Sequence, residues 1–169
     1  MKKRNARGFT LVEMLTAVLI LTIMGVGLTT GIASAVQVYH GSVFSSESQL
    51  LSDTMDTALA DVLRYAKYEE AETADTPLRF SNANYRVVRG SLLAYEGRLK
   101  MNPTDAAVGG GESLMNLLSD SAYSSMDFTD LTLSYDVQTH VFSGSYTLES
   151  KRGSALKKTV TFAYRTLVG

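Results

Sequence analysis

The 169-residue chain contains no cysteine and no tryptophan, and only two prolines, Pro77 and Pro103. Without cysteine no disulfide can staple any part of it, so an exported portion must hold together by packing alone. No proline lies in the first 70 residues to interrupt a helix there. Charge is also missing over a long interval: between Met14 and Ser46 there is no Asp, Glu, Lys or Arg. Histidine occurs twice, as His40 and His140, and neither has a nucleophile or a second ligand at a recognisable spacing. These are surface histidines, and the chain carries no catalytic constellation. Gly109-Gly110-Gly111 lacks the Lys-Ser or Lys-Thr that completes a phosphate-cradling loop and reads as a flexible connection. The formal net charge is −1, too small to draw the chain to nucleic acid as a whole.

What is present is concentrated at the start. Lys2, Lys3, Arg4 and Arg7 precede the apolar run with no acid among them, which directs the N-terminus to the cytoplasm and the remainder outward. From Met14 to Val38 the run exceeds the ~20 residues that a helix needs to cross the hydrocarbon core. A single acid, Glu13, sits just inside it. A carboxylate at that depth is unfavourable in lipid, so its presence points to function and requires a partner. Gly8, without a side chain, lets a protease approach the backbone closely. Three other readings compete. Glu13 reaches the headgroups by its flexible stem; Ala33-Ser34-Ala35 is a signal-peptidase site releasing a chain that starts at Val36; or the span is a plain signal anchor for an exported binding or enzymatic domain. The second is opposed by an apolar run longer than the usual 7 to 15 residues of a secretory signal and by the acid at its start.

The string Gly8-Phe9-Thr10-Leu11-Val12-Glu13, between a basic leader and an apolar helix, closely resembles the processing site of type IV prepilins and of the pseudopilins of type II secretion and DNA-uptake systems. The resemblance implies cleavage by a membrane-embedded prepilin peptidase between Gly8 and Phe9, and N-methylation of the new amine on Phe9. It also implies that Glu13 pairs with the terminal amine of a neighbouring subunit. Glu13 lies four residues beyond Phe9, about 6 Å of helix rise, so such a pair sets the axial stagger between subunits. Further implied partners are other pilin or pseudopilin subunits, an assembly-platform membrane protein, a motor ATPase acting indirectly, and membrane lipid before assembly. Removal of the four leader cations takes the formal charge from −1 to −5. Many major pilins have a proline in the first helix, and its absence here favours a minor pilin or pseudopilin; many Gram-negative pilins carry a C-terminal disulfide, and its absence suits a Gram-positive cell or a pseudopilin.

After the span, Leu51, Met55, Leu59, Val62 and Ala66 recur at helical spacing with Asp53, Asp56, Asp61 and Arg64 between them, predicting an amphipathic helix that continues the first one to about residue 68–72. Gly25, Gly27, Gly31 and Gly41-Ser42 are expected weak points where the helix bends or melts. The period then shifts to two. Leu131 to Val137, Phe142 to Leu148 and Val160 to Tyr164 predict three antiparallel strands, the first two joined through Gln138-Thr139-His140. Segments within Tyr85 to Met101, punctuated by Gly90 and Glu96-Gly97, predict one or two more strands, and Glu112 to Leu118 predicts a short helix.

The expected fold class is therefore α+β, a long N-terminal helix packed on a small antiparallel sheet in the pilin-like manner. The divisions are a leader over 1–8, a membrane and filament-core helix over 9–40, its amphipathic continuation over 41–72 and an outer domain over 73–169. The acids Glu69, Glu70, Glu72 and Asp75 show no regular ligand spacing, so a solvated loop is favoured over calcium, and no cofactor is expected. Arg79, Arg86, Arg89, Arg98 and Lys100, near Tyr85 and Tyr95, raise DNA contact as a secondary possibility against ordinary strand solubility. The expected role is a non-enzymatic filament subunit, held in the cell membrane by a single span and extracellular once assembled.

Overall fold

A computed structural model describes residues 10–70, 77–103, 114–152 and 156–168. The chain divides into two compact units, one up to Val43 and one from Phe44 onward. A single helix, α1, runs unbroken from Leu11 to Arg64. The expected weak points at Gly25, Gly27, Gly31 and Gly41 do not interrupt it, because the surrounding Leu, Ile, Val and Met residues favour continued helix over exposed peptide groups in an apolar stretch.

In the first unit every residue from Thr10 to His40 is exposed. Leu11, Val38 and Leu21 are 81, 72 and 68 % exposed, values that belong to a surface designed for lipid or for another helix rather than for water. The polar side chains within it are satisfied locally. Thr16 donates to the Val12 carbonyl at 3.0 Å, Thr22 to Leu19 at 2.8 Å, and Thr30 to Val26 at 3.0 Å, so these hydroxyls carry no unmet hydrogen bond into a bilayer.

In the second unit the predicted stripe is buried, on α1 as far as Val62 and just past the helix end at Ala66. Leu51, Met55, Leu59, Val62 and Ala66 are all buried, together with Ser48, Ser52 and Leu63. They pack against two antiparallel sheets. The first has the order β1 (Lys67–Glu70), β2 (Arg79–Asn82), β3 (Val87–Tyr95), β4 (Arg98–Asn102) and β5 (Met115–Asn116). The second has the order β6 (Met126–Asp136), β7 (Val141–Ser150) and β8 (Lys157–Arg165). Phe80, Phe128, Phe142, Tyr146, Leu99 and Met101 fill the interior between helix and sheets. Burial of each such side chain contributes about 1.5–3 kcal/mol. The architecture is α+β as expected.

Several boundaries differ from the sequence reading. The helix stops at Arg64 instead of continuing to residues 68–72, and Lys67–Glu70 forms β1. Tertiary partners end it. Asn82 Nδ2 donates to the Val62 carbonyl at 2.7 Å, Leu167 N to the Arg64 carbonyl at 2.7 Å, and Thr166 Oγ1 to the Ala66 carbonyl at 2.7 Å. Carbonyls that a continuing helix would use are thus taken by distant segments. Tyr68 then stacks on Tyr135 with ring centroids 4.6 Å apart. The expected short helix over 112–118 is absent where described: Met115–Asn116 pairs with Lys100 and Met101 of β4, so strand pairing overrides a weak Leu spacing. Gly90 lies inside one continuous strand, β3, and does not divide it.

The second sheet follows the predicted alternation on its inner side, with Leu133, Phe142, Tyr146, Leu148, Phe162 and Tyr164 buried. Its strands pair in register, and the outward-facing residues form rows. One row is Thr129, Thr147 and Thr159, with Thr147 of the middle strand buried, the next is Thr132, Ser145 and Thr161, and the third is Ser134, Ser143 and Ala163. A bulge between Thr129 and Thr132, with Asp130 at φ 53°, brings both threonines to the same face. Gly144 makes this possible, since a Cβ there would lie 2.1 Å from the Thr132 carbonyl oxygen. The two sheets are joined where Phe128 N donates to the Gly97 carbonyl at 2.8 Å, in the Glu96-Gly97 turn whose positive φ values of 52° and 72° fit a two-residue hairpin.

Candidate functional site

The apolar helix begins with a reciprocal pair of side-chain bonds. Glu13 Oε2 accepts from the Thr10 amide at 2.9 Å and from the Thr10 hydroxyl at 3.0 Å, while Glu13 N donates to Thr10 Oγ1 at 3.3 Å. The first backbone bond of the helix follows, from Met14 N to the Thr10 carbonyl at 3.2 Å. This is a capping box, in which residues three apart satisfy each other's otherwise unpartnered amides. The negative carboxylate also lies at the positive end of the helix dipole.

Thr10 is the functional residue that the sequence reading passed over. Its signal was present as Thr10-Leu11-Val12-Glu13 ahead of an apolar run, the Thr-x-x-Glu form of a capping box. Both bonds converge on Oε2, and among the described residues Oε1 has no hydrogen-bond partner. The arrangement therefore holds one carboxylate oxygen in the cap. Gly8 and Phe9, the expected processing and methylation positions, lie outside the described residues.

The same helix is fastened at its other end by two phenol–carboxylate bonds. Tyr85 donates to Asp61 Oδ2 at 2.5 Å, and Tyr164 donates to Asp56 Oδ1 and, at 3.2 Å, to the Asp56 carbonyl. The bond to Asp61 and partial burial push the Tyr85 phenol up to about 12, and burial followed by the bond to Asp56 raises that of Tyr164. Tyr123, 1 % exposed, is likewise pushed up to about 12 by burial.

Other candidate residues do not converge. His140 Nδ1 lies 3.0 Å from the Tyr135 hydroxyl in the β6–β7 turn, and His40 packs edge-on to Tyr39. The basic stretch is dispersed: Arg98 pairs with Asp120 at 3.1 Å, while Lys100, 9 % exposed, lies 4.9 Å over the Tyr95 ring and 3.8 Å from Glu96. Arg79 and Arg89 are engaged as well. Among the described residues no three His, Asp or Glu side chains gather as metal ligands. Glu72 and Asp75 of the acidic cluster lie outside the described residues.

A basic leader, a capped acid at a helix start and one span with mean hydropathy 2.2 fit the class of membrane-anchored, single-pass proteins. Comparison with known families adds a local signature. The prokaryotic N-terminal methylation motif matches residues 3–29, so the chain carries the type IV prepilin-type signature. Neither the comparison with curated proteins nor that with solved structures returned a match. The motif supports a pilin-like or pseudopilin substrate of prepilin peptidase, and thus a structural subunit.

Proposed function

We propose that the chain is a minor pilin or pseudopilin, a structural subunit of a type IV pilus-like filament serving as a pilus, in protein secretion or in DNA uptake. Prepilin peptidase removes residues 1–8 by cutting between Gly8 and Phe9, and the new amine on Phe9 is methylated. Before assembly the helix over 9–40 lies in the bilayer, with the N-terminus cytoplasmic and the residues beyond the span outside. Assembly moves this helix from lipid into a bundle of like helices, with the platform protein and motor ATPase supplying the work. The outer domain reaches the surface on the finished filament.

Glu13 gives the transfer its direction. In lipid its Oε2 is satisfied by Thr10, and its remaining oxygen lacks a cation among the described residues. In the filament that oxygen meets the Phe9 amine of a neighbouring subunit, a charge-assisted bond in a water-poor setting. The observation that carries this reading is the methylation motif over residues 3–29 at the start of a helix whose surface is exposed at every residue from Leu11 to His40. Intact mass and N-terminal sequencing of the mature protein test it. The expected product starts at a methylated Phe9; a start at Val36 or an uncut chain refutes it.

A further inference from the structure

The edges of the two sheets are not alike. In the first sheet the end strands are β5, two residues long, and β1, four residues long and shifted in register by a bulge. In the second sheet β6 is met by the first through the bond from Phe128 to Gly97. At the other end β8 runs nine residues in unbroken register with β7. It has no proline and no bulge, and Lys158, the one cation on its inner side, is drawn to Gln49 of α1 at 2.9 Å. Edges are ordinarily blunted by shortness, bulges, proline or inward charge, because an open edge is a template for another strand. We propose that the free edge of β8 receives an extended segment of another polypeptide, added antiparallel, with a carboxylate opposite Arg165.

The ladder fixes which groups face outward. Ser150 N donates to the Leu156 carbonyl at 3.0 Å and Thr166 N to the His140 carbonyl at 2.9 Å, just beyond the two ends of the β7–β8 pairing. Bonded pairs alternate along an antiparallel ladder, so the even-numbered residues of β8 bond to β7. The amides and carbonyls of Lys157, Thr159, Thr161, Ala163 and Arg165 point away from it. Among the described residues no other group bonds to them. Paired donors and acceptors then recur about every 6.8 Å, a spacing that another extended polypeptide reproduces. An added strand would also cover Val160, which is only partly buried on the inner side.

Charge separates a foreign strand from a second copy of this chain. Symmetric pairing of two β8 strands about Thr161 would set Lys157 of each against Arg165 of the other, and like charges directly opposite are destabilising. Registers that avoid this opposition form a shorter ladder. Lys157 is already paired with Glu149 at 2.6 Å, while Arg165 has no ion pair among the described residues. Its open guanidinium is where an Asp or Glu of the partner gains most.

The test uses the full chain in detergent micelles, and its outcome does not depend on filament assembly. The probe is a capped, fluorescent peptide, Glu-Val-Thr-Val-Thr-Val-Thr-Val-Glu, N-methylated at its fourth and sixth residues so that one edge alone can pair and the peptide cannot stack on itself. One counterpart carries Lys at both ends; another carries its N-methyl groups at the third and fifth residues, whose amides would face β8. Fluorescence polarisation measures binding to the parent, to Thr161→Pro and to Arg165→Glu, with circular dichroism confirming each fold. Proline at this position removes an amide that faces away from β7 and leaves the ladder bonded. Expected are saturable binding of the Glu-ended probe by the parent and a loss of about tenfold in Thr161→Pro or on moving the methyl groups. Arg165→Glu should lose the preference for the Glu-ended over the Lys-ended probe, and it keeps the test decisive should Thr161→Pro fail to fold. No binding at about 1 mM probe, equal binding by parent and folded Thr161→Pro, or an unchanged preference in Arg165→Glu overturns the proposal. So does a self-association of the parent that Thr161→Pro abolishes.

Discussion

Asn82 offers a severe test of how α1 is held to the outer domain. It is 2 % exposed; its Nδ2 donates to the Val62 carbonyl at 2.7 Å, and its Oδ1 accepts from Asn84 N at 2.9 Å and Tyr85 N at 3.4 Å. Replacing it with Ala leaves a buried helix-end carbonyl without a partner, at a cost of about 1–3 kcal/mol, and loses two turn bonds together worth about 1 kcal/mol because their amides can turn to water. The total is about 2–4 kcal/mol. In a domain of this size each kcal/mol moves Tm by about 3–5 °C, so Asn82→Ala should melt roughly 6–20 °C lower. Asn82→Asp keeps the acceptor and sets a carboxylate against the Val62 oxygen. It should be at least as damaging at neutral pH and should recover partly in acid, where a protonated carboxyl regains a donor. Near-ultraviolet circular dichroism of the tyrosines, followed through thermal unfolding of the full chain in detergent, reports both. A melt of Asn82→Ala within about 2 °C of the parent would refute the view that this side chain terminates and anchors the helix.

Three further outcomes are expected. Glu13→Ala should leave export and cleavage intact and reduce incorporation into filaments, seen as mature subunit retained in the membrane fraction; normal incorporation would remove Glu13 from the assembly contact. Gly8→Leu should block processing, leaving a full-length precursor on a gel, because a side chain at the scissile position obstructs the protease. Alkali should unfold the outer domain cooperatively. Tyr85, Tyr123, Tyr146 and Tyr164 all have phenols raised above the ordinary value near 10. Their contribution is complete below pH 10 and is lost as pH rises toward about 12, because the unfolded chain releases the protons first. For Tyr123, 1 % exposed, the loss is about 1.4 kcal/mol per pH unit. Tyrosinate absorbance should rise together with loss of circular dichroism; tyrosines ionising one by one in an intact fold would contradict the burial described.

The parts legible in the sequence are those governed by a single local period. Leu51, Met55, Leu59, Val62 and Ala66 announced the buried stripe of α1, and the alternation in Phe142 to Leu148 and Val160 to Tyr164 announced the inner face of a sheet. What escaped was set by distant partners. Nothing near Arg64 announces a helix end; the carbonyls there are met by Asn82, Thr166 and Leu167, far along the chain. Met115–Asn116 is a strand only because β4 offers it an edge. Asp130 gave no hint of a bulge, which depends on Gly144 in the neighbouring strand. At the candidate site, the basic leader and Glu13 stood out because they violate the apolar background. Thr10 did not, since a threonine among leucines and valines looks ordinary until its bonds to Glu13 are seen.

The bonds from Leu167 and Thr166 to the last turn of α1 have a mechanical consequence. Tension drawn along the helix passes at its far end into the chain's final residues and from there into β8, whose Tyr164 is also tied back to Asp56. The peptide link into β1, with the bonds from Asn82 to Val62 and from Tyr85 to Asp61, gives the first sheet a share of the same pull. A helix drawn from its N-terminal end is therefore braced on two sides, and a truncation removing Thr166 and Leu167 would loosen one brace while the other held.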